Sequence, residues 1–516
     1  MTTTREAARS ALNFAMHLPL QLGLAAMAGA LHVLAFAPFG LWPLQLALLM
    51  LLFGLLQYSP SIKAHAFTGW AFGFGWYVFG VSWLYISMHR FGGMPGWLAG
   101  LALVAMALLL GAFIALMMAA AAWLRARYDL SKTVMLLLVL PMCFALADWL
   151  RGWVFTGFPW VVTGYAHTDS PLAGFAPVLG VYGLGWLAAL MAGTLLLAVT
   201  QRRWLLLPIV LLLTGAGIKT VNWTTPSGAP ISVRLLQGNV PQEMKFDIDR
   251  INDTLSLYHD LVKAGPADLI VTPETAIPLL SRDLPPDYLP LLQTYAETSG
   301  SHLALGIPLS DGLAQYANSM IALTPDATKY RYDKHHLVPF GEFIPPGFRW
   351  FVEMMHIPLG DFTPGAALQA PLQVRDQRVL PNICYEDLFG EQIAAQLRTD
   401  APATILLNMS NIAWFGDSIA LPQHLQISRM RALETGRPML RATNTGTTAV
   451  IDAHGVVTAQ LTPYTRATLS AKVQGFQGMT PYSRYGNALF LIMAALILAV
   501  VVFLRRQKPP GTGKTR

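Results

Sequence analysis

Val379-Leu380-Pro381-Asn382-Ile383-Cys384-Tyr385-Glu386-Asp387 passes from an apolar run to an acidic one at a single cysteine. Arg378 to Ile383 reads as a strand, and Asp387-Leu388-Phe389-Gly390-Glu391-Gln392-Ile393-Ala394-Ala395-Gln396-Leu397 as a helical segment that follows at once. A thiol at such a turn projects from the end of a sheet towards the positive end of a helix, which favours the thiolate that does nucleophilic chemistry. A lone cysteine is more often a small buried hydrophobe, so the case for chemistry has to come from the rest of the chain.

The chain has 516 residues, of which 54% are hydrophobic and 12% charged, and its mean hydropathy is +0.46. Soluble domains carry about 25% charge, so this is the composition of a membrane protein. Of 28 acidic residues, Glu6, Asp129, Asp148 and Asp169 alone lie outside Lys219 to Asn487. A polar domain is therefore inserted into a polytopic membrane protein. Two cysteines, Cys143 and Cys384, exclude a disulfide scaffold and a Cys-rich zinc site. Cys143 lies midway along an apolar run and reads as a packing residue. The net charge of +7 does not imply nucleic-acid binding, because the basic residues cluster at the ends of apolar segments and not on one face.

Eight apolar stretches are long enough, or nearly so, to span a bilayer: 18–37, 41–56, 64–86, 97–124, 133–150, 178–199, 204–218 and 488–504. The second and seventh are short, and Pro141 should kink the fifth. No small-residue cleavage site follows the first, which is expected to stay as a span. With eight spans threaded, Arg5, Arg9, Lys63, Arg125, Arg127, Lys132, Arg202, Arg203, Arg505, Arg506, Lys508, Lys514 and Arg516 fall on one side, against Arg90, Arg151, Lys219 and Arg484 on the other. That asymmetry puts both termini in the cytoplasm and the polar domain in the periplasm. The expected organisation is seven membrane helices over 1–220, a catalytic domain over 221–485, and an eighth helix with a basic cytoplasmic tail over 486–516. His32, Asp148 and Arg151 are ionisable groups within or beside spans and raise the idea of a transport path. Asp148 and Arg151 stand three apart, which favours a local ion pair, and no matched pair of broken half-helices marks a transporter. Gly69 to Gly80, rich in glycine and aromatics, predicts close helix packing.

In the polar domain, runs of β-formers alternate with helical patterns. Strands are expected at 231–237, 268–272, 303–307, 319–323, 379–383, 404–407, 439–441 and 447–451, and helices at 250–263, 290–299, 391–397 and 425–434. This order gives a layered α/β domain with a largely buried sheet. Three motifs then stand at strand ends. Asp268-Leu269-Ile270-Val271-Thr272-Pro273-Glu274 delivers a carboxylate, Tyr332-Asp333-Lys334 a lysine with Glu342 eight residues later, and Asn382-Ile383-Cys384 the thiol. Each charge borders an apolar run, where it would be costly alone, so mutual pairing in one pocket is expected. His335 and His336 are adjacent and diverge on a strand or a helix alike, so they give no metal site.

The order Glu274, Lys334, Cys384, in Pro-Glu, Lys-x-x-Leu-Val-Pro-Phe-Gly-Glu and Cys-Tyr-Glu contexts, resembles the nitrilase superfamily. With the flanking spans, it resembles that superfamily's membrane-bound branch, the apolipoprotein N-acyltransferase family. The likeness runs from Phe36-Ala37-Pro38-Phe39-Gly40 through Gly157-Phe158-Pro159-Trp160 and Gln237-Gly238-Asn239 to Arg429-Met430-Arg431-Ala432-Leu433-Glu434 and Asn444-Thr445-Gly446. It implies an αββα sandwich beside a helical membrane domain of about eight spans. It also implies transfer of an acyl chain from a phospholipid, with phosphatidylethanolamine the expected donor, to the α-amine of the S-diacylglyceryl cysteine of an apolipoprotein. The implied setting is the bacterial inner membrane, with no cofactor and no metal. Cys384 would be the nucleophile, Glu274 the general base, and Lys334 with the Tyr385 backbone N–H the oxyanion partners, while Glu342 and Glu386 would support them. The chain departs from the family pattern at Ile412, where an acid is usual in Ser410-Asn411-Ile412-Ala413-Trp414-Phe415-Gly416, and at Phe246, where tryptophan is common. Both put acyl-chain or acceptor contacts in question.

Phe343 to Ile357 is a Pro-broken, aromatic and Met-rich arm directly after Glu342. It reads either as an ordinary core helix or as a lid whose Phe348, Trp350 and Phe351 admit acyl chains and exclude water, with Asn411 and Trp414 as further substrate contacts. Two rivals to the acyltransferase reading remain at this stage: a membrane-tethered carbon–nitrogen hydrolase using water, and a transporter whose outer domain merely binds ligand.

Overall fold

The computed structural model describes residues 18–58, 61–245, 249–312, 315–345, 347, 349 and 362–506. They divide into two compact units, one drawn from Met1–Ser82, Gly100–Val221 and Asn487–Arg516, the other from Trp83–Ala99 and Asn222–Gly486.

The first unit is helical. Leu18–Ala35, Gly96–Tyr128, Lys132–Arg151 and Pro171–Ala198 are long and apolar enough to cross a membrane. Ile62–Gly80 counts as a fifth only if it is taken as one span with Leu84–Phe91, which belongs to the second unit. Trp42–Tyr58, Leu206–Ile218 and Ala488–Leu504 are shorter apolar helices. All eight apolar stretches thus carry helix, but four or five reach crossing length. Glycine lets the backbones touch: a Cβ on Gly29 would lie 1.9 Å from the Phe72 carbonyl oxygen, and one on Gly75 would lie 2.0 Å from that of Ala26. The irregularity expected at Pro141 takes the form of a π-helical turn, Met135–Val139, just ahead of it. Asp148 and Arg151 are paired at 2.9 Å and both buried. Asp148 also accepts from the Thr163 amide and hydroxyl, and Arg151 donates to the carbonyls of Phe158 and Trp160. That local pair cross-links the unit, tying Asp148 to Thr163 and Arg151 to the Phe158 and Trp160 carbonyls. His32 is fully buried with its ring stacked on Trp76 at 4.4 Å.

The second unit contains two six-stranded sheets. In chain order the strands are β1 (Thr225–Pro226), β2 (Ile231–Gln237), β3 (Leu269–Val271), β4 (His302–Ser310), β5 (Tyr316–Leu323), β6 (Tyr330–Asp333), β7 (Leu372–Val374), β8 (Gln377–Ile383), β9 (Ile405–Ser410), β10 (Met439–Thr443), β11 (Ala449–Ile451), β12 (Val457–Gln460), β13 (Ala467–Val473) and β14 (Phe476–Gln477). One sheet runs β13-β2-β3-β4-β5-β6 and the other β12-β11-β10-β9-β8-β7, while β1 and β14 form a small ribbon. The central strands β2-β3-β4 and β8-β9-β10 are parallel, and the outer pairings are antiparallel. Val233, Leu235, Val271, Ile383, Leu407 and Leu440 from the two sheets share one buried cluster. The helices Ile251–Lys263 and Tyr288–Ser299 cover the outer face of the first sheet through Leu255, Val262, Leu292 and Ala296. Gly390–Gln396 and Ala420–Thr435 cover the second through Ile393 and Ala432. This is the αββα sandwich that the resemblance implies.

Buried parallel strands explain the legible part: β9 is inaccessible along its whole length, and each of its large apolar side chains contributes about 1.5–3 kcal/mol. Six strands went unread, namely β1, β6, β7, β12, β13 and β14. They are short or half-exposed, and polar residues interrupt their pattern; β12 alternates intermediate and exposed. Trp83–Ala99 lies within the apolar third of the sequence yet packs with the polar unit. The Trp83 indole N–H donates to Gln423 at 3.3 Å and its ring lies 4.2 Å from Phe415, while Phe91 meets Trp414 edge-on and Arg90 pairs with Glu243 at 2.9 Å.

Candidate active site

Glu274 stands two residues beyond Thr272, at the end of β3, in a turn that requires the neighbouring strand to carry no side chain. A Cβ on Gly306 of β4 would lie 2.2 Å from the Pro273 carbonyl oxygen and 3.0 Å from the Glu274 Cα. Glycine there lets the carboxylate turn back over the sheet edge. Lys334 follows β6 directly, its amide donating to the Asn318 carbonyl of β5 at 2.8 Å. Cys384 follows β8. The three come from strand ends of both sheets.

The side chains of Glu274 and Lys334 meet in one hydrogen-bonded cluster, whose charges act on the Cys384 thiol. The Lys334 ammonium donates to Glu342 Oε1 at 2.9 Å and to Glu274 Oε1 at 3.4 Å. The Asn318 side-chain amide donates to the same two oxygens, each at 2.8 Å. Glu274 Oε2 accepts from the Asn411 backbone N–H at 2.8 Å, and Glu342 Oε2 from that of Val338 at 2.9 Å. Lys334 is 1% exposed and Glu274 7%, so these charges rest on one another. Burial works against the Lys334 cation, but Glu342 and then Glu274 outweigh it and hold its pKa well above the usual value. Burial likewise works against an ionised Glu274, and Lys334 followed by Lys245 outweighs it, leaving the carboxyl below its ordinary range.

Cys384 is a free thiol with residual exposure, and the Ser410 hydroxyl donates to its sulfur at 3.4 Å. Here the helix-dipole expectation is corrected. The residues after the sulfur form a 3-10 turn, Cys384–Leu388, and the α-helix begins at Gly390. Desolvation by the surrounding core, then the Glu274 carboxylate, push the thiol up to about 12, with Lys334 opposing. Cys384 therefore rests as a thiol and needs a base, and the carboxylate that raises its pKa is suited to take its proton.

Glu386 is buried and acts on the backbone. Its Oε2 accepts from the Ile383 amide at 2.6 Å and the Tyr332 hydroxyl at 3.0 Å, and its Oε1 from the amides of His335 and His336 at 2.7 and 3.2 Å. It joins the turn after β6 to the end of β8, whereas Glu342 alone of the two supporting acids bonds Lys334. Tyr385 is buried with its ring edge-on to Phe389. Asn411, expected among the substrate contacts, is 5% exposed; besides its amide bond to Glu274, its side chain donates to Gln242 Oε1 at 2.8 Å and accepts from Asn444 at 3.2 Å. It thus bonds directly into the Glu274 cluster. Trp414 is 39% exposed beside Phe91. Ile412 is fully buried, and a Cβ on Gly446 would lie 2.5 Å from its Cγ2, so an apolar residue fills this place. Phe246, Phe348, Trp350 and Phe351 lie outside the described residues. No group of three His, Cys, Asp or Glu able to hold a metal occurs among the described residues.

Residues 28–194 match the family model described as the apolipoprotein N-acyltransferase N-terminal domain, and residues 232–478 match carbon-nitrogen hydrolase. The chain is 51% identical over 493 residues to a protein of Ralstonia nicotianae named apolipoprotein N-acyltransferase, covering 94% of this chain and 93% of that one. The chain belongs to the apolipoprotein N-acyltransferase family. A Nitrosomonas europaea protein of the same name is 45% identical, over 93% of this chain and 97% of its own. Among solved structures, a CN-hydrolase superfamily protein from Xanthomonas campestris is 17% identical with a TM-score of 0.37, covering 52% of this chain and 97% of that one.

As an apolipoprotein N-acyltransferase family member, the chain shows a support beneath its cysteine that sequence reasoning missed. Cys384 has φ +53°, a left-handed conformation costing a β-carbon-bearing residue about 1–3 kcal/mol. Asn408 of β9 donates to the Cys384 carbonyl at 3.0 Å and to Asn382 at 2.7 Å. Asp387 is fixed by the Ser428 hydroxyl at 2.6 Å and His424 Nε2 at 2.8 Å. Arg441 Nη2 meets His424 Nδ1 at 2.7 Å, and since arginine can only donate, that nitrogen accepts and the imidazole is neutral with its proton on Nε2. Burial first, then Arg441, hold the His424 pKa below its usual value. The available signals were Asn318 inside β5 and Arg441 inside β10, polar side chains in otherwise apolar runs.

Proposed function

We propose that this chain transfers an acyl chain from a phospholipid to the α-amine of the S-diacylglyceryl cysteine of an apolipoprotein, through a thioester on Cys384. One observation carries this reading: in a member of this family, Glu274, Lys334, Glu342 and Asn318 share one buried hydrogen-bonded cluster whose charges act on the Cys384 thiol. Glu274 takes the thiol proton as sulfur attacks the donor's ester carbonyl. The C–S bond forms, the C–O bond breaks, and the proton passes to the departing alkoxide. The acceptor amine, once neutral, then attacks the thioester; the C–N bond forms, the C–S bond breaks, and Glu274 receives the amine proton, which returns to the sulfur. Lys334 and the Tyr385 backbone N–H stabilise the oxyanion of each tetrahedral intermediate. Glu342 holds Lys334, and Glu386 holds the turns on which Lys334 and Cys384 ride.

Phosphatidylethanolamine is the proposed donor, and the bacterial inner membrane the proposed location. Eight passes with the 221–485 domain in the periplasm are supported by the thirteen basic residues threaded to one side against four on the other. Incubating the purified protein with phosphatidylethanolamine and digesting it should give a Cys384 peptide heavier by one long acyl chain, discharged only when a diacylated peptide amine is added. Discharge in buffer alone would instead support the carbon–nitrogen hydrolase reading. The arm from Phe343 to Ile357 is proposed as a lid over the thioester. Replacing Phe348, Trp350 and Phe351 by serine should lower lipid turnover about tenfold or more while iodoacetamide still labels Cys384 at the unaltered rate. Unchanged turnover would remove the lid.

A further inference from the structure

The catalytic steps above leave the buried Lys245 unused. Lys245 follows the 3-10 turn Gln242–Met244 and is 2% exposed. Its ammonium donates to the Glu274 backbone carbonyl at 3.0 Å, one acceptor for three N–H groups. The same turn is tied to Glu274 a second time: Gln242 receives the Asn411 side chain, whose backbone N–H binds Glu274 Oε2. A buried ammonium with one acceptor persists only in a field of negative charge. The titratable groups acting on it are Glu274, from the turn after β3, and Cys384, from the end of β8, with Lys334 and Glu342 bonded to the same cluster. Lys245 and Lys334 thus stand with Glu274 and Glu342, while Glu386 acts on Lys334 and Arg441 on Cys384 from neighbouring elements. When the thiol proton moves to Glu274 the total charge is unchanged, and the thiolate faces Lys245 as well as Lys334.

We propose that Lys245 is a positioning residue of this site: its ammonium, seated on the Glu274 carbonyl, keeps Glu274 ionised and supplies part of the positive charge the sulfur needs once Cys384 has given up its proton. This rests on the reading of Glu274 as base and Cys384 as nucleophile. Burial draws the Lys245 ammonium down to about 8, against the pull of Glu274 and then Cys384, so its charge is lost within an accessible pH range. Above that pH the site has lost one positive charge, and thiolate formation is disfavoured.

The test is the pH profile of Cys384 alkylation by iodoacetamide in the full-length, detergent-solubilised protein, followed on the Cys384 peptide from pH 5 to 10. No amine substrate is present to titrate. In the wild-type protein the rate should hold a plateau from pH 5, where Glu274 is already ionised, and fall above about pH 8. Lys245→Met should lower the plateau about tenfold, the effect of one pKa unit on the thiol, and abolish the fall near pH 8. Lys245→Arg, whose charge persists throughout, should keep the plateau within about threefold and also lose the fall. A wild-type profile flat between pH 7 and 9.5 would overturn the proposal without any variant, as would a fall retained in either variant. Glu274→Gln separates the two readings: it should lower the plateau about 100-fold, and if it does not, the base assignment fails while the limb near pH 8 still reports on Lys245.

Discussion

Cys384→Ser should leave a folded protein that never acquires an acyl chain and forms no product, with turnover reduced on the order of ten-thousandfold or more. The exchange removes little packing, since the sulfur keeps residual exposure and one hydroxyl partner in Ser410. What it removes is the chemistry. The resting thiol is already hard to ionise, with its pKa near 12, and a serine hydroxyl is harder still, so a base as weak as Glu274 cannot generate the alkoxide. The measurement is product formation from phospholipid and diacylated peptide, paired with the melting temperature to show that the fold is intact. Turnover within tenfold of the wild-type protein would mean that the nucleophile is elsewhere, and would admit the ligand-binding transporter reading.

Lys334→Met should cost both activity and stability, and the two losses separate. With the ammonium gone, Glu274 and Glu342 are two buried carboxylates sharing one neutral amide, Asn318. Breaking a buried pair by removing one partner costs about 3–5 kcal/mol, visible as a lowered denaturation midpoint. Turnover should fall about 100-fold or more, because one oxyanion donor is lost and the larger of the two cationic supports of an ionised Glu274 is gone. The sign follows from the cause: Lys334 depresses the Glu274 pKa, so its removal raises that pKa and moves the acid limb of the rate profile to higher pH. Adding Glu342→Gln to Lys334→Met should restore most of the stability and none of the activity. If the double variant regained turnover, Lys334 would be serving the fold and not the reaction.

The sandwich was legible because its central strands are buried on both faces and read as continuous apolar runs, as at Leu269-Ile270-Val271 and Ile405-Leu406-Leu407. The Glu274–Lys334 pairing was legible because each of the two borders such a run, and a charge beside an apolar strand needs a partner. Edge strands such as β12 and β13 were not, since half-exposed strands alternate and carry polar residues that a loop would also tolerate. The state of the sulfur was misread for a related reason. A strand followed by a helical pattern suggested a helix dipole, but the intervening 3-10 turn and the surrounding apolar wall are tertiary facts. Asn318, Lys245 and the Asp387–His424–Arg441 support come from separate segments that local pattern cannot join.

The hydrogen bonds around Glu274 also have a stereochemical consequence. Oε1 is saturated by Asn318 and Lys334, and Oε2 holds one donor, Asn411, among the described residues. A single lone pair is left vacant, so in the proposed reaction thiol, departing alcohol and arriving amine would deliver or collect their protons at one docking point, each after its predecessor has cleared it. Alternation of the two half-reactions would then be imposed by the valence of one oxygen atom, whatever room the cavity has for both lipids at once.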